Sequence, residues 1–206
     1  MTDSEVSRIA VRRARAEREI LDAAWAVMTR EGVAALSVRE VARAVGIRQQ
    51  SLTYYFATKQ ALLDALFADG FADLHARFDQ LPPATDPVEG VVEVARAFVD
   101  HLVARPAAYH LMFQGTVPGF TPSLDSHAVA LTVLQELIAR LTAAGVTRPG
   151  DHALVRSVMS GIVAEQIAND PAGHLFTDQT ERAIRAVLTE IRGPARRRRD
   201  ETRRKT

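Results

Sequence analysis

Apolar residues recur at three- and four-residue spacing along most of this 206-residue chain, and no sustained two-residue alternation interrupts them. That period predicts an all-α fold of about nine helices with no strand. Ile20, Ala23, Ala24, Val27 and Met28 mark the buried stripe of a first helix. Ser37-Val38-Arg39-Glu40 reads as a capping box, the serine hydroxyl taking an orphan amide while the glutamate reaches back, so a second helix starts there. Its apolar face, Val38, Val41, Ala42 and Val45, runs into Gly46, where a left-handed C-terminal turn costs least. Leu62, Leu63, Leu66, Phe67, Phe71, Leu74 and Phe78 stripe a long later helix that stops before Pro82-Pro83. Asp86-Pro87-Val88-Glu89 opens the next with a cap, a first-turn proline and an acid. Pro106 opens a short helix, residues 115–122 are too rich in glycine and proline to be helical, and three helices follow over about 123–145, 151–169 and 178–192.

One short helix departs from the pattern. It resumes at about Arg48 with only Ile47, Leu52 and Phe56 as apolar anchors, while Arg48, Gln49, Gln50, Ser51, Thr53, Tyr54 and Tyr55 crowd the rest of its surface. That density of donors, acceptors and rings exceeds what solubility requires. Arginine and glutamine carry the paired groups that match guanine and adenine edges in the major groove, and threonine and tyrosine can serve phosphates or thymine methyls. A helix, a tight glycine turn and a short polar helix make the layout of a helix-turn-helix that reads double-stranded DNA.

The charge agrees once it is divided. The net value is only +1, but residues 1–60 hold ten Arg/Lys against seven Asp/Glu, residues 61–192 nine against sixteen, and residues 193–206 seven against two. A basic head and tail with an acidic middle suit a small DNA-reading domain joined to a body that stays off phosphates. The chain is therefore divided into a helix-turn-helix domain over 1–60, a larger helical domain over 61–192, and a basic tail over 193–206 expected to be disordered. Arg8, Arg12, Arg13, Arg15 and Arg18 form a second basic run that is a candidate for phosphate contact.

Gly46-Ile47, Leu52, Phe56 and Lys59, behind the apolar first helix, resemble the DNA-binding domain of the TetR family of transcriptional regulators. The resemblance covers about residues 12–67. Thr53 stands where the family usually has its first tyrosine, Gln50 at an often small turn residue, and Arg48 where serine commonly opens the recognition helix. These are specificity positions, so they bear on the operator sequence rather than on the fold. The resemblance implies base reading by Arg39, Arg48, Gln49 and Gln50, with Ser51, Thr53 and Tyr54 beside them, and phosphate contacts by Ser37, Tyr55 and Lys59. Residues 111–122 resemble, more weakly, the ligand-domain segment of one subgroup of the same family.

The last two predicted helices carry wide apolar stripes, among them Val155, Val158, Met159 and Ile162, then Ile184 and Leu188. A stripe two rows wide exceeds what one packing partner needs. The family resemblance implies that these helices pair with their copies in a homodimer, and that a small-molecule effector sits among Phe71, Phe78, Phe98, His101, Tyr109, Met112, Phe113 and Phe120. The implied function is a ligand-responsive regulator, a repressor released from a palindromic operator by a small, largely apolar molecule. A TetR-fold protein that binds DNA without an inducer is the first alternative, and an all-α enzyme or binding module the second.

Other chemistry is thin. There is no cysteine, and the histidines show no metal-ligand spacing with one another, so neither a metal site nor a cofactor is expected. Asp125-Ser126-His127 is not a triad, because adjacent residues point away from one another, and no nucleotide-binding or hydrolase motif occurs. A catalytic role is not expected. No apolar run approaches the roughly 18 residues of a membrane span, and no leader opens the chain, which points to a cytoplasmic protein without membrane partners.

Overall fold

A computed structural model describes residues 3–193, with side chains from Arg8 onward. Among the described residues there are nine α-helices and no strand: α1 Asp3–Glu31, α2 Val38–Val45, α3 Gln49–Tyr55, α4 Lys59–Asp79, α5 Pro87–Val103, α6 Pro106–Phe113, α7 Leu124–Ala143, α8 Pro149–Asn169 and α9 Thr180–Arg192. The all-α reading holds, and the boundaries fall within a few residues of those read from the caps and prolines. Two single 3-10 turns, Val33–Ala35 and Thr177–Gln179, carry no periodic signal of their own. The basic tail beyond Gly193 lies outside the described residues.

The chain divides into two compact units, Met1–Phe71 with Arg105–Val129, and Ala72–Ala104 with Ala130–Thr206. This does not follow the sequence division at residue 60. Side-chain anchors explain why the first thirteen residues of α4 and the segment 105–129 join the first unit. The Asp64 carboxylate accepts from the Ser123 amide at 2.7 Å and the Ser126 hydroxyl at 2.9 Å, and Gln60 donates to the Thr121 carbonyl at 2.7 Å. Asp69 takes the Trp25 indole N–H at 2.7 Å and a bidentate grip from Arg18, fastening α4 to α1. Gly70 lets Met112 lie close, since a Cβ there would sit 2.7 Å from its Sδ. Ile20, Ala24, Val27, Met28, Leu36, Val41, Leu52, Leu62 and Leu66 form the buried interior of this unit.

In the second unit α5, α8 and α9 pack together around Val91, Val94, Val99, Leu102, Val155, Met159, Val163, Ile184 and Leu188. Asp86 caps α5 by accepting from the Val88 and Glu89 amides at 2.7 and 3.1 Å, with Pro87 at the first position. Gln166, fully buried, takes the amides of Phe176 and Thr177 on its carbonyl and donates to the Gly173 carbonyl at 3.0 Å, so one side chain shapes the connection from α8 to α9. Arg185 of α9 spans Glu181 at 2.8 Å and Glu89 of α5 at 2.7 Å. Among the described residues no helix is long and apolar enough to cross a membrane.

Candidate functional site

The site is built from α2, its turn and α3. Ser37 is the N-cap of α2, its hydroxyl accepting from the Glu40 amide at 3.2 Å. Glu40 does not close the box; its carboxylate is drawn forward to Arg43 at 3.1 Å, where a charged partner outcompetes a neutral amide. Gly46 adopts φ 77°, its amide reaching the Arg43 carbonyl at 3.2 Å and that of Ile47 reaching Ala42 at 3.0 Å, a Schellman closure open to glycine at little cost. The chain then turns through Arg48 into α3. Leu52 and Phe56 are buried and hold this helix down, so Arg48, Gln49, Gln50, Ser51, Thr53 and Tyr54 all lie exposed, with Tyr55 half-buried.

Two hydroxyls are partly committed. Thr53 donates to the Gln50 carbonyl at 2.8 Å, which leaves its methyl, rather than its proton, for a partner outside the helix. Ser37 uses a lone pair in the cap and keeps its own proton. Arg39 and Lys59 are exposed, and Lys59 opens α4 next to Thr58, whose hydroxyl caps the helix by accepting from the Ala61 amide at 3.0 Å. Thr58 carried no marked pattern in the sequence beyond its place before a helix start.

The N-terminal arginines are sorted by the structure. Arg15 pairs with Glu19 at 3.1 Å, and Arg18 with Asp22 and Asp69, which makes Arg18 a packing element. Arg13 pairs with Glu17 at 2.7 Å and lies over the exposed ring of Tyr54, 5.4 Å from its centroid, bringing a cation of α1 onto the surface of α3. That contact joins Arg13 to the helix-turn-helix face.

The eight ligand candidates are not all in one unit. Phe71, Tyr109, Met112, Phe113 and Phe120 belong to the first, where Phe113 stacks on Tyr109 at 5.9 Å, Phe71 packs tilted against Phe113 at 5.4 Å, and Phe67 packs against Phe71 and Phe120 at 4.9 and 6.1 Å. The Tyr109 hydroxyl accepts from Gln114 at 2.7 Å. Phe78, Phe98 and His101 belong to the second unit, where His101 stands 3.4 Å from Asp73 and has its pKa lowered by burial and then by Arg77. A shallow cavity of about 470 Å³ elsewhere in that unit, lined by Val88, Arg185, Leu188, Thr189, Arg192 and Gly193, includes none of these eight.

Of the dimer candidates, Val155, Met159, Ile184 and Leu188 are buried inside their own chain. A two-row stripe cannot reveal by itself which row faces inward. The accessible row of α8 runs through Leu154, Ser157, Val158, Gly161 and Ile162, with Leu154 40% exposed, and α9 presents Ala183, Ala186 and Val187. Val158 and Ile162 thus remain as surface candidates. Separately, His75, Asp79 and Glu136 bring one ligand atom each to within 4.8 Å of one another, a group that the sequence did not disclose because Glu136 is remote from the other two.

Residues 20–66 match the model of the bacterial regulatory proteins of the tetR family. The chain is 28% identical over 147 residues to the HTH-type transcriptional regulator Rv1816 of Mycobacterium tuberculosis, an alignment covering 69% of this chain and 62% of that relative. It thus spans less than two thirds of the length of the curated relatives it matches. In fold it is similar to the TetR family regulator PfmR of Thermus thermophilus, with a TM-score of 0.64, 21% identity and coverage of 82% and 96% of the two chains. It is also similar to FadR of Bacillus subtilis in complex with stearoyl-CoA, with a TM-score of 0.63, 16% identity and coverage of 84% and 97%. The glycine turn and the outward polar helix thus lie in the segment, residues 20–66, that matches the tetR family of bacterial regulatory proteins, and the chain is similar in fold to a regulator of that family.

Proposed function

We propose that two copies of this chain bind a palindromic double-stranded DNA operator and repress transcription until a small, largely apolar molecule releases them. The observation that carries this reading is the division of α3, with Leu52 and Phe56 inside and an uninterrupted polar row from Arg48 to Tyr54 outside. Arg39, Arg48, Gln49 and Gln50 are assigned to base edges, Thr53 to a thymine methyl, and Ser37, Tyr55, Lys59 and Arg13 to phosphates. A second copy is required physically, because a single recognition helix supplies too little binding to select one site in a genome. The outward row of α8, with Leu154, Val158, Gly161 and Ile162, and Val187 on α9 are assigned to that pairing.

Effector binding is assigned to the aromatic group of the first unit, Phe71, Tyr109, Met112, Phe113 and Phe120. A mostly apolar lining with one hydroxyl suits a ligand of like character, and the similarity to a FadR that holds stearoyl-CoA favours the same class. Release by a factor of about 100 needs roughly 2.7 kcal/mol of difference in effector affinity between the two states. Selecting operator sites from a random DNA pool and then screening acyl-CoA thioesters and apolar metabolites for release tests the whole reading. Recovery of no enriched motif would overturn it. The mutual packing of the same rings, with Gly70 and Met112 in close approach, favours a second reading in which DNA binding is constitutive. It gains if a motif is recovered but no compound shifts affinity, and if Met112→Trp changes neither.

A further inference from the structure

We infer that His75, Asp79 and Glu136 form a binding site for a d-block divalent cation such as Zn2+. His75 and Asp79 are four residues apart on the last turns of α4, a spacing that sets two side chains side by side on one helix face. Glu136 comes from α7 in the same unit, and its Oε2 stands 3.5 Å from His75 Nε2, while His75 Nδ1 stands 3.3 Å from an Asp79 oxygen. The two contacts use opposite ring nitrogens, so a cation takes one of them; each residue brings one ligand atom to within 4.8 Å of the others, and side-chain rotation closes these toward the roughly 3.3 Å between ligand atoms on a tetrahedral cation with bonds of about 2.0–2.1 Å.

A second observation points the same way. Glu136 Oε2 is buried and accepts no hydrogen bond, although a buried carboxylate oxygen left in that state is costly. Its sister oxygen is held by Arg140 at 2.7 Å, which fixes the carboxylate with Oε2 turned to the imidazole. Arg140 also offsets one of the two carboxylate charges, leaving the other to meet a dication. His75 is 36% and Asp79 63% exposed on the side-chain scale, giving an open approach and room for water as the remaining ligands. One imidazole with two carboxylates favours zinc or its neighbours over magnesium and calcium, which take oxygen alone.

The test uses the full chain, stripped with chelator and titrated calorimetrically with ZnCl2, with Co2+ absorption as a spectroscopic reporter. The expected result is saturable binding of one Zn2+ per chain and visible Co2+ bands of mixed nitrogen and oxygen ligation. His75→Ala and Glu136→Gln should each weaken zinc binding by about ten-fold or more, and His75→Ala should abolish the cobalt bands, whereas the exposed control His127→Ala binds as the parent does. Glu136→Gln is nearly isosteric and keeps the test decisive if His75→Ala fails to fold. Absence of stoichiometric binding by the parent, unchanged affinity in both variants, or equal affinity for Mg2+ would overturn the site.

Discussion

The guanidinium of Arg13 lies 5.4 Å above the ring centroid of Tyr54 and ties α1 to the recognition helix. Tyr54 is 71% exposed and has no core to hold it, so its ring is positioned by Arg13 on one side and by an edge-on contact with Tyr55 at 5.3 Å and 88° on the other. An exposed cation–π contact is worth about 0.5–1 kcal/mol. If the pair faces DNA, Arg13→Ala should weaken operator binding by about two- to five-fold through the lost contact, and lower the salt slope by about one if Arg13 also neutralises a phosphate. Tyr54→Phe keeps the stack and should lose less. Fluorescence anisotropy at several salt concentrations measures both; an unchanged slope and affinity in Arg13→Ala would remove Arg13 from the interface.

Base reading and phosphate contact separate by their sequence dependence. A bidentate arginine or glutamine contact discriminates by about 1–3 kcal/mol. Gln49→Ala and Arg39→Ala should therefore relax preference at particular operator positions, while Lys59→Ala should weaken all sequences alike. Equal losses on operator and random DNA for all three variants would show that α3 does not read bases.

Much of this was legible in the sequence because it is local. The Ser37 cap, the Gly46 turn, the Asp86-Pro87 start and the anchors Leu52 and Phe56 depend on residues within one or two turns of one another. What failed is what depends on distant partners. Glu89 fits a capping pattern, yet Arg185 of α9 takes its carboxylate, since a guanidinium is a better partner for a carboxylate than an amide. Asp69 gives no sign in the sequence that it gathers Trp25 and Arg18. The His75, Asp79 and Glu136 group and the choice between Val155 and Leu154 as the inner row share that origin, because neither is fixed until helices far apart in sequence have packed.

Gly46 offers a direct test of the turn. At φ 77° a Cβ brings steric strain of about 1–2 kcal/mol, although no atom lies near enough to clash with it. Gly46→Ala should lower stability by about that amount, and Gly46→Asn by less. Chemical denaturation reads the difference; an Ala variant as stable as the parent would mean that the turn relaxes to another conformation.

A pH dependence follows from His101. Burial, and then the charge of Arg77, hold its imidazole below the ordinary range, outweighing the pull of Asp73 at 3.4 Å. The folded state therefore binds this proton more weakly than the unfolded one. Its contribution to stability is complete above the unfolded value of about 6.5 and is lost as the pH falls from there through the lower folded pKa. Replacing the side chain by His101→Asn should flatten the stability profile below pH 6.5. A parent profile that is already flat between neutral pH and about pH 5 would show that His101 does not carry this linkage.

Assembly separates the two rows of α8. Met159 is buried within the chain, so Met159→Ala should cost about 2–5 kcal/mol of folding stability without selectively splitting a dimer. Leu154 is 40% exposed in the outward row with Val158 and Gly161, so Leu154→Arg should leave helicity and the core intact. Placed where two copies of α8 meet, however, it would set two like charges against each other on desolvation, a penalty that association does not recover. Leu154→Arg should thus sediment as a monomer at concentrations where the parent is a dimer, and its operator affinity should collapse with the loss of the second recognition helix. Adding Leu154→Glu to the same solution should restore heterodimers by pairing the charges. If Leu154→Arg remains dimeric, the two copies meet on another face and the outward row of α8 has no part in DNA binding.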